Sequence, residues 1–213
     1  SGDGTTIVYE WDAGLWKLVM PGGGPEPVPV EAPSDLKWNE VERHTFSGRA
    51  TEFAFSPDED ELAVVVRGEI FVCPFEDGEA GDMNRVTETT AREKNIAWMP
   101  DGETLVYASD RTGDYDIYSA RSVDEEEERL SEALKIEETR LTSTDEDEFA
   151  PTPSPDGERV AFLRGPKYLW TMDPDGGGEL QMLLDAEILH VDWSPDSRWL
   201  AISRTTMGHK EDI

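Results

Sequence analysis

Residues 98–118, WMPDGETLVYASDRTGDYDIY, decide the fold. They begin with a tight-turn sequence, Pro100-Asp101-Gly102, in which proline fixes φ and glycine tolerates the left-handed region. A run of branched and aromatic residues follows at 104–108, and Ile117-Tyr118 comes after a second polar turn. Short apolar runs between turns are typical of β-strands. The stretch therefore predicts consecutive antiparallel strands.

The same phrase recurs along the chain. Ser-Pro-Asp occupies residues 56–58, 154–156 and 194–196, and Ser1-Gly2-Asp3-Gly4 resembles it. The aspartates, at positions 3, 58, 101, 156 and 196, are 55, 43, 55 and 40 residues apart. Apolar runs follow the aspartates, and an Arg-x-Thr sequence begins at residues 43, 85 and 140. Units of about 40 residues with four strands each are typical of propeller blades.

We therefore predict an all-β fold, a β-propeller of about four to five WD40-like, four-stranded blades, partial at both ends. The repeat divides the chain into a partial blade at 1–45, blades at 46–87, 88–142 and 143–184, and a partial blade at 185–213. In the first complete blade, strands are expected near 53–56, 62–67, 69–73 and 84–87. The first strands of the later blades are expected near 96, 151 and 190.

Two units are longer than the others and contain insertions. The acidic insertion 123–137 has Leu130, Ala133 and Leu134 at helical spacing, which predicts a short amphipathic helix. The second insertion, Met20 to Glu40, is rich in glycine and proline and predicts an extended loop.

The ends of the repeat array predict a segment of a longer propeller. The first copy lacks the apolar run that should precede Gly2-Asp3, and the last copy stops at Ile213 within its third strand. Apolar residues such as Trp16 or Trp199 are expected to be exposed on the end faces. We expect either self-association through these open blade ends or an open arc of about four blades.

The turn 100–102, followed by Ser109-Asp110-Arg111-Thr112-Gly113, resembles the PD40 repeat of TolB-like propellers. That repeat also occurs in tricorn-type proteases and in relatives of prolyl oligopeptidase. Three stretches are most similar to the propeller region of tricorn-like proteases: RGEIFV at 67–72, TETTAREKNIAW at 87–98 and WSPDSRWLAISR at 193–204. The resemblance implies a propeller that admits or guides peptides towards a protease chamber. It transfers no catalytic residue, because in that family the nucleophile belongs to a separate serine peptidase domain.

The composition is strongly acidic, with 48 Asp and Glu against 19 Lys and Arg and a net charge of −29. Such a field repels phosphate groups, so neither nucleic acid nor an anionic membrane is expected as a partner. The acidity has two interpretations, a surface hydrated for high salt or long-range steering of a basic peptide. Membrane insertion is not expected, because no apolar run approaches the roughly 20 residues that span a bilayer.

His190, Asp192 and Ser194 alternate along one predicted strand and invite comparison with a catalytic triad. Side chains two positions apart on a strand are separated by about 7 Å, which is beyond hydrogen-bond reach. Ser194 also belongs to the repeated turn, like Ser56 and Ser154, so a structural role is predicted for it. No Gly-x-Ser-x-Gly or His-Glu-x-x-His sequence occurs in the chain. We therefore predict no catalytic residue.

Three acidic groups are candidate calcium ligands: residues 125–128, residues 145–148, and Asp173 with Asp175. None has the ligand spacing of an EF-hand loop. Solvated surface charge is predicted for all three, with a loosely bound cation as the alternative, and no metal or cofactor is assigned.

Cys73 is the single cysteine, which excludes an intrachain disulfide and a multi-cysteine metal site. It follows a run of branched residues and is predicted to be a buried, unreactive thiol. Trp98 and Trp193 precede Pro-Asp turns and are predicted to pack blades together, as is Phe55 at the equivalent position.

These observations favour a non-catalytic propeller of a tricorn-like serine protease that guides or gates peptide substrates and supports assembly. Its partners would be peptides or proteins. A TolB-like scaffold for protein–protein interaction, without a peptidase domain, is the alternative. A free-standing propeller enzyme or a sugar-binding lectin is disfavoured, because no catalytic constellation is present. The sequence does not distinguish periplasm from cytoplasm.

Overall fold

A computed structural model describes residues 5–11, 14–28, 48–124, 127–165, 167–183 and 188–204. The chain divides into two compact units, Ser1–Thr45 and Phe46–Ile213. The described residues form strands and turns, and they include no helix long and apolar enough to cross a membrane.

The first unit contains an antiparallel sheet of β1 (Thr6–Trp11), β2 (Gly14–Val19) and β3 (Pro25–Pro27), in that order. Strand β3 corrects the prediction of an extended loop from Met20 onwards. Proline is compatible with a strand that pairs along only one edge, because its missing N–H is then not required. A salt bridge of 3.1 Å between Lys17 and Glu26 adds a side-chain contact between β2 and β3. The predicted loop beyond residue 28 lies outside the described residues.

The second unit begins with sheet I, which comprises residues 50–85. Its three long strands are β4 (Ala50–Phe55), β5 (Glu61–Val66) and β6 (Glu69–Glu76), paired in sequence order. Two short strands, β7 (Glu79–Ala80) and β8 (Asn84–Arg85), both pair with β6. The four predicted strands are thus confirmed within a few residues, and β7 is an addition.

Two four-stranded antiparallel sheets and a hairpin follow. Sheet II comprises β9 (Glu93–Trp98), β10 (Thr104–Ser109), β11 (Asp116–Ser122) and β12 (Ile136–Arg140). Sheet III comprises β13 (Glu148–Pro153), β14 (Val160–Arg164), β15 (Tyr168–Met172) and β16 (Leu180–Leu183). The C-terminal hairpin consists of β17 (Ile188–Trp193) and β18 (Leu200–Arg204). The predicted all-β class with four-stranded antiparallel blades is confirmed.

Three apolar cores lie between successive sheets. Alternate residues of a strand face opposite sides, so β10 and β14, the second strands of sheets II and III, each contribute to the core before them and to the core after them. In sheet II, Leu105 and Tyr107 pack with residues of sheet I, whereas Val106 and Ala108 pack with residues of sheet III. The third core joins sheet III to the hairpin. Strands β10 and β14 are apolar on both faces because both faces are covered.

The repeated Ser-Pro-Asp phrase has a structural cause. The Oγ of Ser56, Ser154 and Ser194 accepts the backbone N–H five residues later, each at 3.0 Å. The turn also places one residue at positive φ, which is Gly102 in one copy and Glu59 in another. The serine therefore connects the two strands that the turn joins.

The acidic insertion does not form the predicted helix. Residues 123, 124 and 127–135 consist of turns and irregular backbone, and residues 136 and 137 belong to β12. In a helix the Leu134 N–H would bond to the Leu130 carbonyl, but it donates to Asp124 instead, at 2.6 Å. The Leu130 carbonyl accepts from the Asn84 side-chain amide at 2.8 Å. Partners from elsewhere in the chain thus replace the helical hydrogen bonds.

Candidate functional site

The residues that resemble a triad belong to the last hairpin. His190 and Asp192 lie on β17, and Ser194 lies in the turn that follows. The Ser194 hydroxyl donates to Asp196 at 2.6 Å and accepts from the Trp199 N–H at 3.0 Å. Ser154 makes the same pair of contacts with Asp156 and the Arg159 N–H. Ser194 thus makes the turn contacts that are expected of a structural residue of the repeat.

Cys73 and the two repeated tryptophans have the predicted packing roles. Phe55 does not share this role, since it is 41% exposed and its ring contacts Phe75 of its own sheet. Cys73 is fully buried, and burial raises the pKa of its thiol, so the nucleophilic thiolate is disfavoured. The Trp98 indole donates to the Ala54 carbonyl of sheet I at 3.1 Å. The Trp193 indole donates to the Thr152 carbonyl of sheet III at 2.9 Å. Each tryptophan therefore links its strand to the first strand of the preceding sheet.

The acidic groups are largely exposed, with one exception. Glu148 has no exposed surface, which corrects the prediction of solvated charge for residues 145–148. Asp173 pairs with Arg159, and Asp175 accepts the Gly177 N–H at 2.9 Å. Residues 125 and 126 lie outside the described residues. Within the described ranges, no three His, Cys, Asp or Glu side chains are grouped so as to hold a metal ion.

Glu148 is buried because it pairs with Arg164 in sheet III. The Arg164 Nε donates to Glu148 at 2.6 Å, and its Nη2 donates to both carboxylate oxygens of Glu179 at 2.8 Å. The guanidinium lies 4.1 Å from the ring centre of Trp170. Burial alone lowers the pKa of Arg164, but the bonds to Glu179 and Glu148 outweigh it and raise the pKa above its ordinary value. Arg164 thus joins the second strand of sheet III to Glu148 on the first strand and to Glu179, the residue before β16.

Sheet II contains an equivalent arrangement around Arg111. Its Nη2 lies 3.4 Å from the fully buried carboxylate of Glu93 and 2.6 Å from Glu138. Its guanidinium lies 4.3 Å from the ring centre of Tyr118, which occupies the position of Trp170. The ion pairs of Arg111 with Glu93 and Glu138 were not predicted from the sequence. The sequence does contain a regularity that indicates the buried glutamates, because Glu93 and Glu148 both stand six residues before the repeated turn.

A pocket of about 470 Å³ lies beside Arg164. It is lined by Thr144, Asp145, Glu146, Arg164, Tyr168, Trp170 and Gln181. These residues come from the loop before β13 and from the strands β14, β15 and β16. The lining thus combines carboxylates, aromatic rings, an amide and one arginine, which are groups that bind polar or cationic ligands.

The residues that line the pocket in sheet III differ from those at the equivalent positions of sheet II. Its Trp170 pairs with Gln181 across the strands, as Tyr118 pairs with Arg140 in sheet II. In sheet II, Arg140 forms a salt bridge of 2.8 Å with the buried carboxylate of Asp116. The position of Asp116 opposite the end of the second strand is taken by Tyr168 in sheet III. An uncharged pair therefore replaces an ion pair at this place.

Comparisons with solved structures agree with the fold. TolB from Acinetobacter baumannii has a TM-score of 0.53 and 18% identity, with 93% of this chain and 45% of that chain covered. A puromycin-hydrolyzing peptidase of Mycobacterium tuberculosis has a TM-score of 0.54 and 19% identity, covering 88% and 31%. Oligogalacturonate lyase in complex with manganese has a TM-score of 0.57 and 16% identity, covering 97% and 57%. No family model and no curated protein matches the sequence.

These similarities define the class of fold. The described residues form antiparallel sheets, several of them with the four-stranded pattern of TolB-like propeller blades, and the similarity extends over most of the chain. It also resembles the propeller of a peptidase. The chain spans less than two thirds of the length of each of these three proteins. At identities below 20% the likeness concerns the fold.

Proposed function

We propose that this chain is a non-catalytic propeller portion of a tricorn-like serine peptidase, which guides or gates peptide substrates and supports assembly. The observation that carries the proposal is the match to the mycobacterial peptidase, in which 88% of this chain corresponds to 31% of that chain. The sequence resemblance of residues 67–72, 87–98 and 193–204 to tricorn-like propellers supports it.

Internal contacts engage the side chains that could otherwise be taken for reactive groups. Ser194 is engaged in its turn, Cys73 is buried with a raised pKa, and the arginines of sheets II and III are bonded to buried carboxylates. These groups stabilise the blades. The acidic surface, by contrast, attracts positively charged segments from a distance.

A TolB-like scaffold for protein–protein interaction is the second candidate. The similarity to TolB of Acinetobacter baumannii favours it, because 93% of this chain is covered in that comparison. On this alternative, the sheets would present a binding surface and no peptidase domain would be attached.

The coding sequence next to these 213 residues distinguishes the two candidates. A PDZ-like region and a serine peptidase region downstream are expected for the peptidase. A stop codon after one or two further blades would contradict it and select the scaffold.

In the complete peptidase, the guiding role has a kinetic test. Variants of exposed propeller residues are expected to lower kcat/KM for peptides long enough to contact the propeller, and to leave a short chromogenic substrate unaffected. Equal effects on both substrates, or none on either, would contradict guidance by the propeller.

A further inference from the structure

The pocket beside Arg164 combines carboxylates with aromatic rings. Asp145 and Glu146 are exposed, and within the described ranges neither carboxylate has an ion-pair partner. Tyr168 and Trp170, both half-buried, present their rings from β15. Carboxylates attract a cation by charge, and an aromatic ring attracts it through its quadrupole. One face of Trp170 is already covered by the Arg164 guanidinium, so Tyr168 is the ring offered to a ligand. The lining is therefore suited to an organic cation.

Arg164 does not make the pocket repel cations. Its guanidinium is 2.6 Å from Glu148 and 2.8 Å from Glu179, so two carboxylates already balance its charge. Glu148 retains a buried Oε2 that has no hydrogen-bond partner among the described residues. The negative charges of Asp145 and Glu146 come in addition. The surroundings of the pocket therefore carry an excess of negative charge.

At the equivalent place in sheet II lies a positively charged side chain of the protein, Arg140. Arg140 stands where sheet III has Gln181, and it pairs with Asp116 at 2.8 Å. Sheet II has Thr90 and Ala91 at the positions of Asp145 and Glu146, counted from the Arg-x-Thr repeat. Compared with sheet II, sheet III has two additional carboxylates in this loop and has Gln181 in place of Arg140.

We infer that this pocket binds the lysine or arginine side chain of a peptide, in the place that Arg140 occupies in sheet II. The inference rests on the proposed peptide-handling function and names the chemistry of one contact. A volume of about 470 Å³ accommodates such a side chain with part of its neighbours. The acidic surface of the chain would concentrate basic peptides near the pocket.

The test uses the ¹⁵N-labelled 213-residue chain and NMR titration at a salt concentration of about 150 mM, where distant charges are screened. The probe is the peptide acetyl-Ala-Ala-Lys-Ala-Ala-amide. Matched peptides carry norleucine or acetyl-lysine in place of lysine and keep the chain length without the charge. The indole N–H signal of Trp170 is assigned with Trp170→Phe. This N–H is buried without a hydrogen-bond partner among the described residues, and it reports changes around a residue that lines the pocket.

We expect the lysine peptide to shift the Trp170 indole signal, and the two uncharged peptides to leave it unchanged. The double variant Asp145→Asn with Glu146→Gln is expected to weaken binding by about fivefold or more. The control removes the same number of charges from the exposed residues Glu76 and Glu79 of sheet I, by substitution with glutamine. It is expected to change the affinity by less than about twofold.

Three outcomes would overturn the inference. Equal shifts with the norleucine peptide would show apolar contact only, and equal weakening in both double variants would show a general charge effect. The absence of any shift at Trp170 would also contradict the inference. The proposed function would survive all three if a serine peptidase region is encoded downstream. Conversely, binding at Trp170 together with a downstream stop codon would support the cation-binding pocket and contradict the proposal that the chain belongs to a peptidase.

Discussion

The side-chain oxygen of Asn95 accepts the backbone N–H of Ala150 at 3.3 Å and so joins the first strand of sheet II to that of sheet III. Both residues stand four positions before the repeated turn, and both have positive φ. Glu52, at the same position of sheet I, accepts the Asn95 N–H at 2.5 Å. Each side chain at this position thus bonds to the equivalent backbone of the next sheet. The series stops at Ala150, which has no polar side chain.

Extending this series should stabilise the fold. Ala150→Asn places an amide oxygen towards the N–H of His190, the equivalent residue of the last hairpin, and asparagine tolerates positive φ better than alanine. We expect a gain of about 0.5–1 kcal/mol in the free energy of unfolding, measured by urea denaturation. Ala150→Gly is the control, because it relieves the backbone without adding a hydrogen bond. A variant with asparagine no more stable than the one with glycine would contradict the added bond.

The repeated turn gives a second stability prediction. Glu59 has φ of 59° at the position where two other copies have Gly102 and Gly157. Glu59→Gly should therefore raise the free energy of unfolding by about 0.5–1 kcal/mol, since glycine adopts this conformation without strain. The reverse change, Gly102→Ala, should lower it by about 1 kcal/mol, because an added Cβ meets only Pro57 at 4.0 Å and the cost is conformational. Thermal unfolding of the two variants checks both signs.

Ser197 provides a matched control, because substitution by glycine at this position is not expected to raise the free energy of unfolding. It also has positive φ, of 57°, but its hydroxyl accepts the Asp156 N–H at 3.0 Å. Ser197→Gly relieves the backbone and loses this bond, so the two effects should nearly cancel. A gain as large as that of Glu59→Gly would show that the hydrogen bond contributes little.

The strands were predictable because their signals are local. The serine, proline and aspartate of each turn and the apolar runs beside it lie within about ten residues, and the structure confirms their positions. The insertion was mispredicted because its partners are distant. Asn84 and Glu61 are 46 and 70 residues away from the backbone groups they bind. A helical spacing of Leu130, Ala133 and Leu134 contains no information about them.

The pocket was not predictable for a related reason. It depends on which residues of β15 and β16 face each other, such as Trp170 and Gln181, and this register follows from the assembled sheet. Glu148 was placed among solvated charges because its sequence neighbours are acidic. Its burial follows from Arg164, which stands 16 residues further along the chain.

Glu61 provides a prediction on pH. It is 1% exposed, and burial raises the pKa of its carboxyl above the ordinary value of 4.5, although it accepts the Ser131 N–H at 2.7 Å. A raised pKa in the folded state means that the protonated form is favoured on folding. Its contribution to stability is therefore full below pH 4.5 and decreases as the pH rises through the folded pKa.

Glu61→Gln should accordingly stabilise the chain at neutral pH. Glutamine keeps an oxygen for the Ser131 N–H and removes the buried charge, so we expect a gain of about 1 kcal/mol at pH 7. The gain should shrink towards pH 4, where the wild-type carboxyl becomes protonated. Urea denaturation at several pH values measures this difference. A loss of stability at pH 7 that exceeds the loss at pH 4 would show that the charge itself is required.

The insertion offers a matched pair of leucines for the last prediction. Leu130 is fully buried in the core between sheets I and II, whereas Leu134, four residues later, is 93% exposed. Leu130→Ala should cost about 2–5 kcal/mol, since it removes buried methyl groups and leaves a cavity. Leu134→Ala should change the free energy of unfolding by less than about 0.5 kcal/mol. An amphipathic helix with both leucines on its packed face would make the two costs similar, so equal destabilisation by both variants would contradict the observed loop.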